Sequence, residues 1–590
     1  MKSKKIRLTA IAVILIIMAI IITSCQPAET TKPISTTTSG NSTTSTTAPT
    51  TVQSNVPEYL NTGTEMPIVK EGNDITISVV VAGNVQFGDP KKVWFWEYVK
   101  REMNIKTEVE VTLENNTYVS LAFASKNLPD LLLCYLSNQD IVKYGQDENQ
   151  LLAFNEYLNN DYMPNLSKLF AENPDWMTLI QTDDEKIYSA PKITDTKTIT
   201  GVNITGTSNF MINQKWLQQA NKQAPATLVE LLDVLRAFKD IDEKYIPLGG
   251  AYESVSPGYI ILNALGYTGT DAKGFQVCLR DGNVVFPFGD REVFGEYLKY
   301  MNQLYSENLI SEDYFTLDET AVKAQLADGK VGIYPASAGV ALSDLGNYKD
   351  YWGSKPLTSD YNQTIKWKQN SNGITIGACS ISSESEYPET ICRFIDWFYE
   401  ENSTNYLLAW IGPSANDKDM LYDMISGYDF DVAKGARNYI DVANGKFGGA
   451  GECVMGSVAG FSERFGYAVN KSYAGYALAG HADKFNELVY NDENVVQGWH
   501  WDLYSIQENL MPYLSVEYPH IQFFSQEDNT EISDLKTMLE SYATQEIARF
   551  IIGEREPTDA EINKYFDTLK SMGFEDYLKY YSDYYVAKNK

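Results

Sequence analysis

An apolar, β-branched run, Ile75–Val81, is the first of several predicted strands that alternate with predicted helices, and this order restricts the folds open to the chain. Nearly continuous apolar character is typical of a strand that is buried on both faces of a parallel sheet. A helical segment, Val93–Met103, a strand, Lys106–Val111, a helix, Tyr118–Ser125, and a third strand, Leu131–Cys134, follow it. Strands and helices that alternate at this spacing predict a parallel sheet covered by helices.

A second alternation follows downstream. Thr227 is placed to cap a helix Leu228–Lys239, because Thr is preferred at helix N-caps. Val331–Tyr334 is an apolar strand, and the chain returns to strand at Ile374–Ser380 and to helix at Pro388–Tyr399. Two such blocks predict an α/β protein with two lobes around a cleft. Other predicted elements are the strands Phe210–Asn213 and Val284–Phe286, the turn Asp281-Gly282, and the helices Tyr259–Leu265, Glu292–Leu304 and Ala321–Asp328.

The N-terminus has the pattern of an export signal. Residues 2–7 carry four basic side chains, and Leu8–Ile22 is uncharged and mostly aliphatic. This run is shorter than the ~20 apolar residues of a membrane-spanning helix, which favours a cleaved signal peptide over residues 1–24. The alternative is an uncleaved signal anchor. Residues 25–65 begin with a Thr/Ser tract that is too polar to fold, and they are predicted to form a flexible linker.

Charge and aromatic content narrow the possible partners. The 590 residues carry a formal net charge of −30, which repels phosphate backbones and makes nucleic acid an unexpected partner. The chain also has 40 Tyr, 24 Phe and 10 Trp. Most of these rings belong in cores, but aromatic faces also pack on sugar rings whose hydroxyls need polar partners. The composition therefore allows a sugar-binding surface.

Cysteine and histidine patterns give no sign of a metal or a cofactor. The cysteines downstream of Cys25 show no C-x-x-C spacing, and the three histidines form no H-E-x-x-H motif. We therefore expect buried thiols rather than a metal site, and no cofactor.

Several segments, taken together and in order, resemble one known family: the extracellular solute-binding proteins of carbohydrate ABC importers (family 1 type), in the long subgroup of oligosaccharide-binding lipoproteins. The tetrapeptide Ile22–Cys25 likewise resembles the lipobox of bacterial lipoproteins, whose cysteine is diacylated and becomes the mature N-terminus. The matching downstream segments are Asn127–Leu131, Trp216-Leu217 with Pro225–Leu228, Asp281–Val285, Leu304–Ile310, Ala327–Gly332, Tyr387–Glu389 with Phe394–Trp397, Ala548–Glu554 and Leu569–Leu578.

This resemblance implies a type II periplasmic-binding-protein-like fold, with hinged lobes around a central cleft and extra C-terminal helices. The solute-binding domain would span 66–590, with an N-lobe at about 66–190 and 370–400. The C-lobe would occupy about 195–365 and 405–520, and the C-terminal helices about 530–590. The region 420–500 is least similar to the family.

The same resemblance implies a function. The protein would capture an oligosaccharide by lobe closure and deliver it to the transmembrane subunits of an ABC importer. It would act as a monomer on the extracellular face of the cell membrane, held by lipid, including palmitate, on Cys25. The alternative is a surface glycan-binding or glycan-active lipoprotein that serves no permease, and a third possibility is an adhesin or structural surface lipoprotein.

Two departures from the family narrow the expectation. Where relatives carry an Arg and an Asp before the Trp-Leu pair, this chain has Asn213 and Lys215, so an ion pair there is absent or reversed. Some relatives bind calcium in a longer loop at the position of Phe238–Pro247. Calcium needs six to eight oxygen ligands, and this short segment lacks the Asn-Gly run, so we expect no calcium here.

Ligands of parallel sheets bind beyond the carboxyl ends of the strands, which identifies the loops Ala82–Pro90 and Tyr135–Asn138 as candidate contacts. Polar and aromatic groups there can serve sugar hydroxyls and rings, although ordinary loop capping is the alternative. The candidates in these loops are Asn84, Phe87, Tyr135, Ser137 and Asn138.

Three tryptophans are the best candidates for stacking on a sugar ring: Trp410, Trp499 and Trp501. Trp499 and Trp501 would share one face of an extended strand. Core packing is the alternative for each of the three.

The sequence carries no local signature of catalysis. It has no G-x-S-x-G, P-loop or G-x-G-x-x-G motif. Acidic pairs such as Glu292 and Glu296 could in principle serve glycoside hydrolysis, but in a chain this acidic they are usually solvated faces. We therefore predict a binding protein and not an enzyme.

Overall fold

The computed structural model describes residues 56–83, 90–92, 95–194, 210–342, 347–368, 374–400, 405, 466–468, 498–515 and 518–588. The predicted signal peptide, Cys25, Asn84, Phe87 and Trp410 lie outside these residues. The packed part begins at Val56, upstream of position 66 where the sequence predicts the folded part to start. Leu60 is already buried and forms part of an apolar core.

The described strands and α-helices are numbered in chain order. The strands are β1 (Thr76–Ala82), β2 (Lys106–Thr112), β3 (Leu131–Leu133), β4 (Lys192–Thr194), β5 (Met211–Asn213), β6 (Ile246–Leu248), β7 (Cys278–Arg280), β8 (Asn283–Val285), β9 (Val331–Tyr334), β10 (Tyr351–Gly353), β11 (Trp367–Lys368), β12 (Ile374–Thr375), β13 (Ser380–Ile381), β14 (Gly466–Ala468) and β15 (Leu514–Ser515). The helices are α1 (Phe95–Glu102), α2 (Asn115–Ser125), α3 (Asn138–Asp140), α4 (Pro164–Glu172), α5 (Pro174–Ile180), α6 (Gln214–Gln219), α7 (Leu228–Ile241), α8 (Gly258–Ala264), α9 (Phe294–Ser306), α10 (Glu319–Ala327), α11 (Ala338–Ala341), α12 (Pro388–Asp396), α13 (Gly498–Asn509), α14 (Gln526–Ile551), α15 (Asp559–Ser571) and α16 (Phe574–Lys588).

The first sheet has the strand order β13-β3-β1-β2. Strand β1 pairs in parallel with β2 and β3, while β13 runs antiparallel to β3. Val79, Val80 and Val81 are fully buried, as expected for a central strand covered on both faces. The parallel arrangement predicted from the alternation of elements is confirmed. Trp96, on α1, is buried and donates its Nε1–H to the Pro90 carbonyl at 2.9 Å.

The second sheet has the order β10-β5-β9-β6, with β6 parallel to β9 and β5 antiparallel to both its neighbours. Helix α7 covers this part of the protein and begins where the sequence predicts, since the Thr227 hydroxyl accepts from the Glu230 N–H. Asn213 caps α6 by accepting from the N–H groups of Lys215 and Trp216. The Lys215 ammonium pairs with Asp350 at 2.8 Å. The acidic partner of Lys215 therefore comes from a distant segment and not from the residues just before the Trp-Leu pair.

Two large apolar cores accompany these sheets. One is built from segments within 60–193, 374–399 and 521–523, and the other from segments within 210–367 and 506–577. A small third sheet, in the order β12-β4-β14, contains the strands through which the chain leaves the first core and returns to it. The strands at which the chain leaves and re-enters the first core, β4 and β12, thus pair with each other.

The predicted continuous strand Ile374–Ser380 is wrong. The segment forms two short strands, β12 and β13, which belong to different sheets. Gly377 separates them with φ of +96°, a conformation that residues with a Cβ rarely adopt. Its N–H donates to Ser189 Oγ and its carbonyl accepts from the Leu136 N–H, so the break ties the returning chain to the first sheet.

The C-terminal helices α14, α15 and α16 pack on the second core through the buried side chains of Phe550, Tyr565 and Tyr577, one from each helix. The Tyr565 hydroxyl donates to the Phe288 carbonyl at 2.8 Å. None of the helices in the described part of the chain has the length and apolar character needed to cross a membrane.

Four cysteines lie in the described residues: Cys134, Cys278, Cys379 and Cys392. All four are buried and none forms a disulfide, as predicted. Burial raises the pKa of the Cys379 and Cys392 thiols well above the ordinary value, which keeps them protonated and unreactive.

Candidate functional site

The carboxyl ends of β1, β2 and β3 meet at one edge of the first sheet, because these strands are parallel. Tyr135, two residues beyond β3, is 57% exposed at this edge. Its backbone is held by the Asn115 side chain, whose Nδ2 donates to the Tyr135 carbonyl and whose Oδ1 accepts from the Tyr135 N–H, both at 2.7 Å. An exposed ring therefore stands on a fixed backbone.

Ser137 and Asn138 lie in the same loop as Tyr135 but belong to the start of helix α3. The Ser137 hydroxyl accepts from the Asp140 N–H at 3.1 Å and Asp140 accepts from the Ser137 N–H at 2.9 Å, which is a capping box for α3. Asn138 begins this helix and is half-buried. The Gln139 side chain donates to Asn529 Oδ1 at 3.1 Å, so the loop reaches the first turns of α14.

Asp130, in the Leu-Pro-Asp segment, has a structural role. Its Oδ2 accepts from the N–H and the hydroxyl of Ser78, at 2.8 and 2.6 Å, and its Oδ1 accepts from the Ser385 hydroxyl at 2.7 Å. These bonds join the start of β3 to β1 and to the chain that returns after β13. Asp130 therefore ties the loop before β3 to two other segments of the first lobe.

A cavity of about 800 Å³ lies against the second core, next to the segment that joins the two cores. Its volume falls within the ~300–1,000 Å³ of small-molecule sites in proteins. Loops after the carboxyl end of β6, strand β11, and helices α14 and α16 contribute its walls. The aromatic rings that line it are Tyr252, Tyr259, Phe275, Phe286, Tyr518, Tyr577 and Tyr581.

The charged groups of the cavity are mostly compensated within it. Lys273 pairs with Glu253 and lies 4.9 Å from the centre of the Tyr252 ring. Asp271 Oδ1 accepts from the backbone N–H groups of Lys273 and Phe275, at 3.2 and 2.7 Å. A polar wall of donors and acceptors beside aromatic faces suits a ligand that carries many hydroxyls.

Two further charged positions sit on α14. Lys536 lies 4.0 Å from Glu540, and burial raises the pKa of the Glu540 carboxyl. Asn529, Lys536 and Glu540 are seven and four residues apart, so they share one face of the helix. The same face therefore contacts the Gln139 side chain of the first sheet's loop and, about 10 Å further along, forms the cavity wall.

Lys368, on β11, is the cation of the described cavity wall that no carboxylate contacts. Its Nζ lies 4.3 Å from the centre of the Tyr259 ring. Burial lowers the pKa of Lys368 to about 8, and the negative charge of Asp271 partly opposes this. A desolvated ammonium of this kind can donate hydrogen bonds to ligand oxygens at low cost in further dehydration.

The segment 518–523 runs between the cores along the cavity. Tyr518 belongs to the second core, while Ile521 and Phe523 belong to the first. His520 Nε2 lies 2.7 Å from the Ile374 carbonyl of the connecting sheet, and burial lowers the pKa of His520. The cavity thus borders the strands through which the chain passes from one lobe to the other.

The prediction that Trp499 and Trp501 share a strand face is wrong, because both lie on helix α13. Positions two apart on a helix point in directions about 160° apart. Trp501 is half-buried, donates Nε1–H to the Tyr351 carbonyl at 2.6 Å and packs edge-on against Trp352 at 4.9 Å. The Trp499 side chain lies outside the described part of the structure.

The segment Phe238–Pro247 closes as a short turn. The Lys239 ammonium donates to the carbonyls of Glu243 and Tyr245, at 2.7 and 3.5 Å, and Asp242 accepts from the Lys244 N–H. Within the described ranges, no group of three or more His, Cys, Asp or Glu side chains is arranged to hold a metal ion.

Sequence reasoning missed the cavity. Its walls come from segments around 252–277, 368, 518–522, 536–540 and 577–581, which no local motif connects. Tyr577 lies inside the segment Leu569–Leu578 that resembles the family, and this was the one available signal. Of the predicted contacts, the structure brings Tyr135, Ser137 and Asn138 together at one sheet edge, while Trp501 lies against the edge strand β10 of the other sheet.

The chain belongs to the family of bacterial extracellular solute-binding proteins, which it matches over residues 82–403, more than half of its length. It is therefore a binding protein and not an enzyme. A curated relative is the fructooligosaccharide ABC transporter substrate-binding protein FusA of Streptococcus pneumoniae serotype 4. FusA is 26% identical over 453 residues, which are 74% of this chain and 76% of FusA.

Solved structures share the architecture. S. pneumoniae FusA in complex with kestose has a TM-score of 0.63 at 20% identity and covers 87% of this chain and 100% of its own. An HMO-binding ABC-transporter-associated solute-binding protein from Bifidobacterium longum infantis has a TM-score of 0.63 at 18% identity and covers 87% and 99%. At these identities the likeness establishes the fold, and the two-lobed periplasmic-binding-protein-like class predicted from the sequence is confirmed.

Proposed function

We propose that this protein is the oligosaccharide-binding component of an ABC importer, which captures its ligand by closure of two lobes and presents it to the transmembrane subunits. The observation that carries this proposal is the aromatic and polar cavity beside the connecting strands. Ring faces there can stack on sugar C–H faces, and Lys368, Asp271 and Gln276 can serve hydroxyls.

Two further observations support the proposal. The loop Tyr135–Asn138 of the first sheet is linked through Gln139 to the same face of α14 that lines the cavity of the second core, so a ligand that extends about 10 Å from the cavity along this face would meet both lobes. Closure on such a ligand requires that it bind the closed state better than the open one, which contacts from both lobes provide. The relative FusA is a fructooligosaccharide-binding subunit of an ABC transporter.

We also propose that the protein acts as a lipid-anchored monomer on the extracellular side of the membrane. The segment Ile22–Cys25 after an apolar run supports lipid attachment at Cys25, and the Thr/Ser tract would act as a tether. Attachment beside the importer would shorten the path of a captured ligand. Replacement of Cys25 by Ala should release the protein from the membrane fraction; a variant that stays fully membrane-bound would contradict the lipid anchor.

The direct test is a thermal-shift panel on the purified protein without residues 1–24. Kestose, nystose, milk-type oligosaccharides, high-mannose glycans and plant glucan oligomers should be compared with amino acids and dipeptides. A ligand at 100 times its Kd should stabilise the protein by ~2.7 kcal/mol, a shift of several degrees in melting temperature. A shift with a peptide or amino acid and none with any saccharide would refute the carbohydrate assignment.

A pair of lysine variants locates the binding site. Lys536 lines the cavity and pairs with Glu540 at i,i+4, while Lys323 forms an i,i+4 pair with Glu319 on α10, away from the cavity. Lys536→Ala should weaken the affinity for the bound saccharide several-fold, and Lys323→Ala should leave it unchanged. Equal affinities for both variants and the wild type would place the site elsewhere.

A further inference from the structure

The loop after β3 is fixed along its backbone but leaves one ring uncovered. Pairing between β1 and β3 ends at Val81 and Leu133, so the N–H and carbonyl of Tyr135 have no strand partner. The Asn115 amide supplies both bonds, each at 2.7 Å, in place of a strand partner. Tyr135 itself remains 57% exposed.

The next two residues are held as firmly. The Leu136 N–H donates to the Gly377 carbonyl at 2.6 Å, and the Ser137 N–H donates to Asp140 at 2.9 Å. Three successive backbone positions are thus anchored, two of them by distant segments of the chain and the third by the capping box of α3. Such restraint costs conformational entropy that a surface tyrosine does not need, whereas a binding platform gains affinity from being ordered before the ligand arrives.

The side chain of Asn115 does not cap helix α2, which is the usual role of an asparagine at the start of a helix. Helix α2 has Glu114 at its N-cap, with no capping bond from that side chain, and the Glu114 N–H donates to the Thr112 hydroxyl at 3.3 Å. The Asn115 amide turns instead to the neighbouring strand end, and its only other bond among the described residues is a long one, 3.4 Å, to Asn116. Its geometry serves the position of Tyr135.

We propose that Tyr135 forms the first-lobe stacking surface for a sugar ring, and that Asn115 is the positioning residue that holds this surface in place. The inference rests on the function proposed above, and it adds a ring platform on the first lobe that is separate from the cavity of the second core. Asn115 does not touch the sugar. It acts through the backbone of Tyr135, which sets the direction in which the ring projects.

The test is a double-mutant cycle on binding affinity, measured by isothermal titration calorimetry. The probe is the panel oligosaccharide with the largest thermal shift, with kestose tested first. We expect Tyr135→Ala to weaken binding about tenfold or more and Asn115→Ala about threefold to tenfold. In the Tyr135→Ala background, Asn115→Ala should cost less than about twofold, because its effect passes through the ring that is already gone.

Asn155 provides a matched control. In the same lobe, its Nδ2 donates to the Glu185 carbonyl at 3.0 Å and its Oδ1 accepts from the Ile187 N–H at 2.9 Å, a similar pair of amide-to-backbone bonds that involves no residue of the loop Tyr135–Asn138. Asn155→Ala should lower the melting temperature about as much as Asn115→Ala but leave the Kd unchanged. Tyr135→Phe, which keeps the ring, should bind within about twofold of the wild type.

The outcomes separate the two proposals. If Asn115→Ala lowers only the melting temperature, like Asn155→Ala, or if it weakens binding equally with and without Tyr135, the positioning role is overturned. If a panel saccharide binds and Tyr135→Ala leaves its Kd unchanged, the stacking surface is overturned while the proposed function stands. If no saccharide binds the wild-type protein, the proposed function fails and this inference fails with it.

Discussion

Replacement of Lys368 by Met should stabilise the ligand-free protein and weaken ligand binding. Lowering the pKa of an ammonium from 10.5 to about 8 corresponds to about 3 kcal/mol of unfavourable free energy for the charged form in the folded state. The Lys368 ammonium also lies 4.3 Å from the centre of the Tyr259 ring, and because substitution removes this attraction together with the charge, only part of the cost is recovered. Met removes the charge and still packs its thioether on the ring, so we expect a net gain of about 1–2 kcal/mol at pH 7.

The gain should depend on pH in a defined direction. Below pH 8 the lysine is charged in both the folded and the unfolded state, so the wild type carries the full cost of burying the charge. Between about pH 8 and 10.5 the folded state releases its proton while the unfolded state keeps it, so the stability of the wild type rises with pH. The advantage of Lys368→Met should therefore be complete at pH 7 and small at pH 10.

Urea unfolding of the ligand-free protein at pH 7 and at pH 10 measures this difference. Lys366→Met is the matched control, because Lys366 is exposed two residues earlier on the same segment and should change stability by less than about 0.5 kcal/mol. A Lys368→Met variant that is no more stable than the wild type at pH 7, or whose advantage is the same at both pH values, would refute the assignment of a buried charge. Saccharide affinity should fall in the same variant, since a donor to the ligand is lost.

Three further substitutions test other parts of the structure. Asp130→Ala should lower the free energy of unfolding by about 2–4 kcal/mol, because bonds to Ser78 and Ser385 are lost; urea titration would show this, and a loss below 1 kcal/mol would argue against the role of Asp130 in joining β1 and β3. Trp501→Phe should cost about 1–2 kcal/mol by removing the bond to the Tyr351 carbonyl while leaving saccharide affinity within about twofold, and a large loss of affinity by calorimetry would instead support a stacking role. Gly289→Ala should cost about 2–3 kcal/mol, since a Cβ there overlaps the Phe574 ring at the start of α16; a melting temperature equal to that of the wild type would show that this helix can shift without penalty.

Local sequence signals predicted many of the elements. Thr227 caps its helix, Val331–Tyr334 forms a strand over the predicted residues, and Asp281 and Gly282 form the turn between β7 and β8. In each case the information lies within a few residues, because caps, turns and buried strands depend on side chains near in sequence. The errors arose where tertiary contacts decide. Gly377 divides a predicted strand because the residues before it pair in one sheet and the residues after it pair in another. Trp499 and Trp501 lie on a helix, α13, which packs across β10.

The candidate site could be predicted only in part. Tyr135, Ser137 and Asn138 follow from the rule that ligands meet the carboxyl ends of parallel strands. The Asn115 amide that holds Tyr135 lies 20 residues earlier, and no local sequence pattern in either segment predicts that the two residues are hydrogen-bonded. The cavity is less accessible still, since Tyr259, Lys368 and Tyr581 are brought together by packing of the C-terminal helices on the second core.

The sequence by itself determined the class of this protein. The alternation of strands and helices from Ile75 to Cys134 predicts a parallel sheet, because few other folds bury both faces of apolar strands that are separated by helices. Only the tertiary structure decided which side chains face a ligand. The pKa of Lys368 and the exposure of Tyr135 depend on what surrounds each group in space, and segments hundreds of residues apart supply those surroundings.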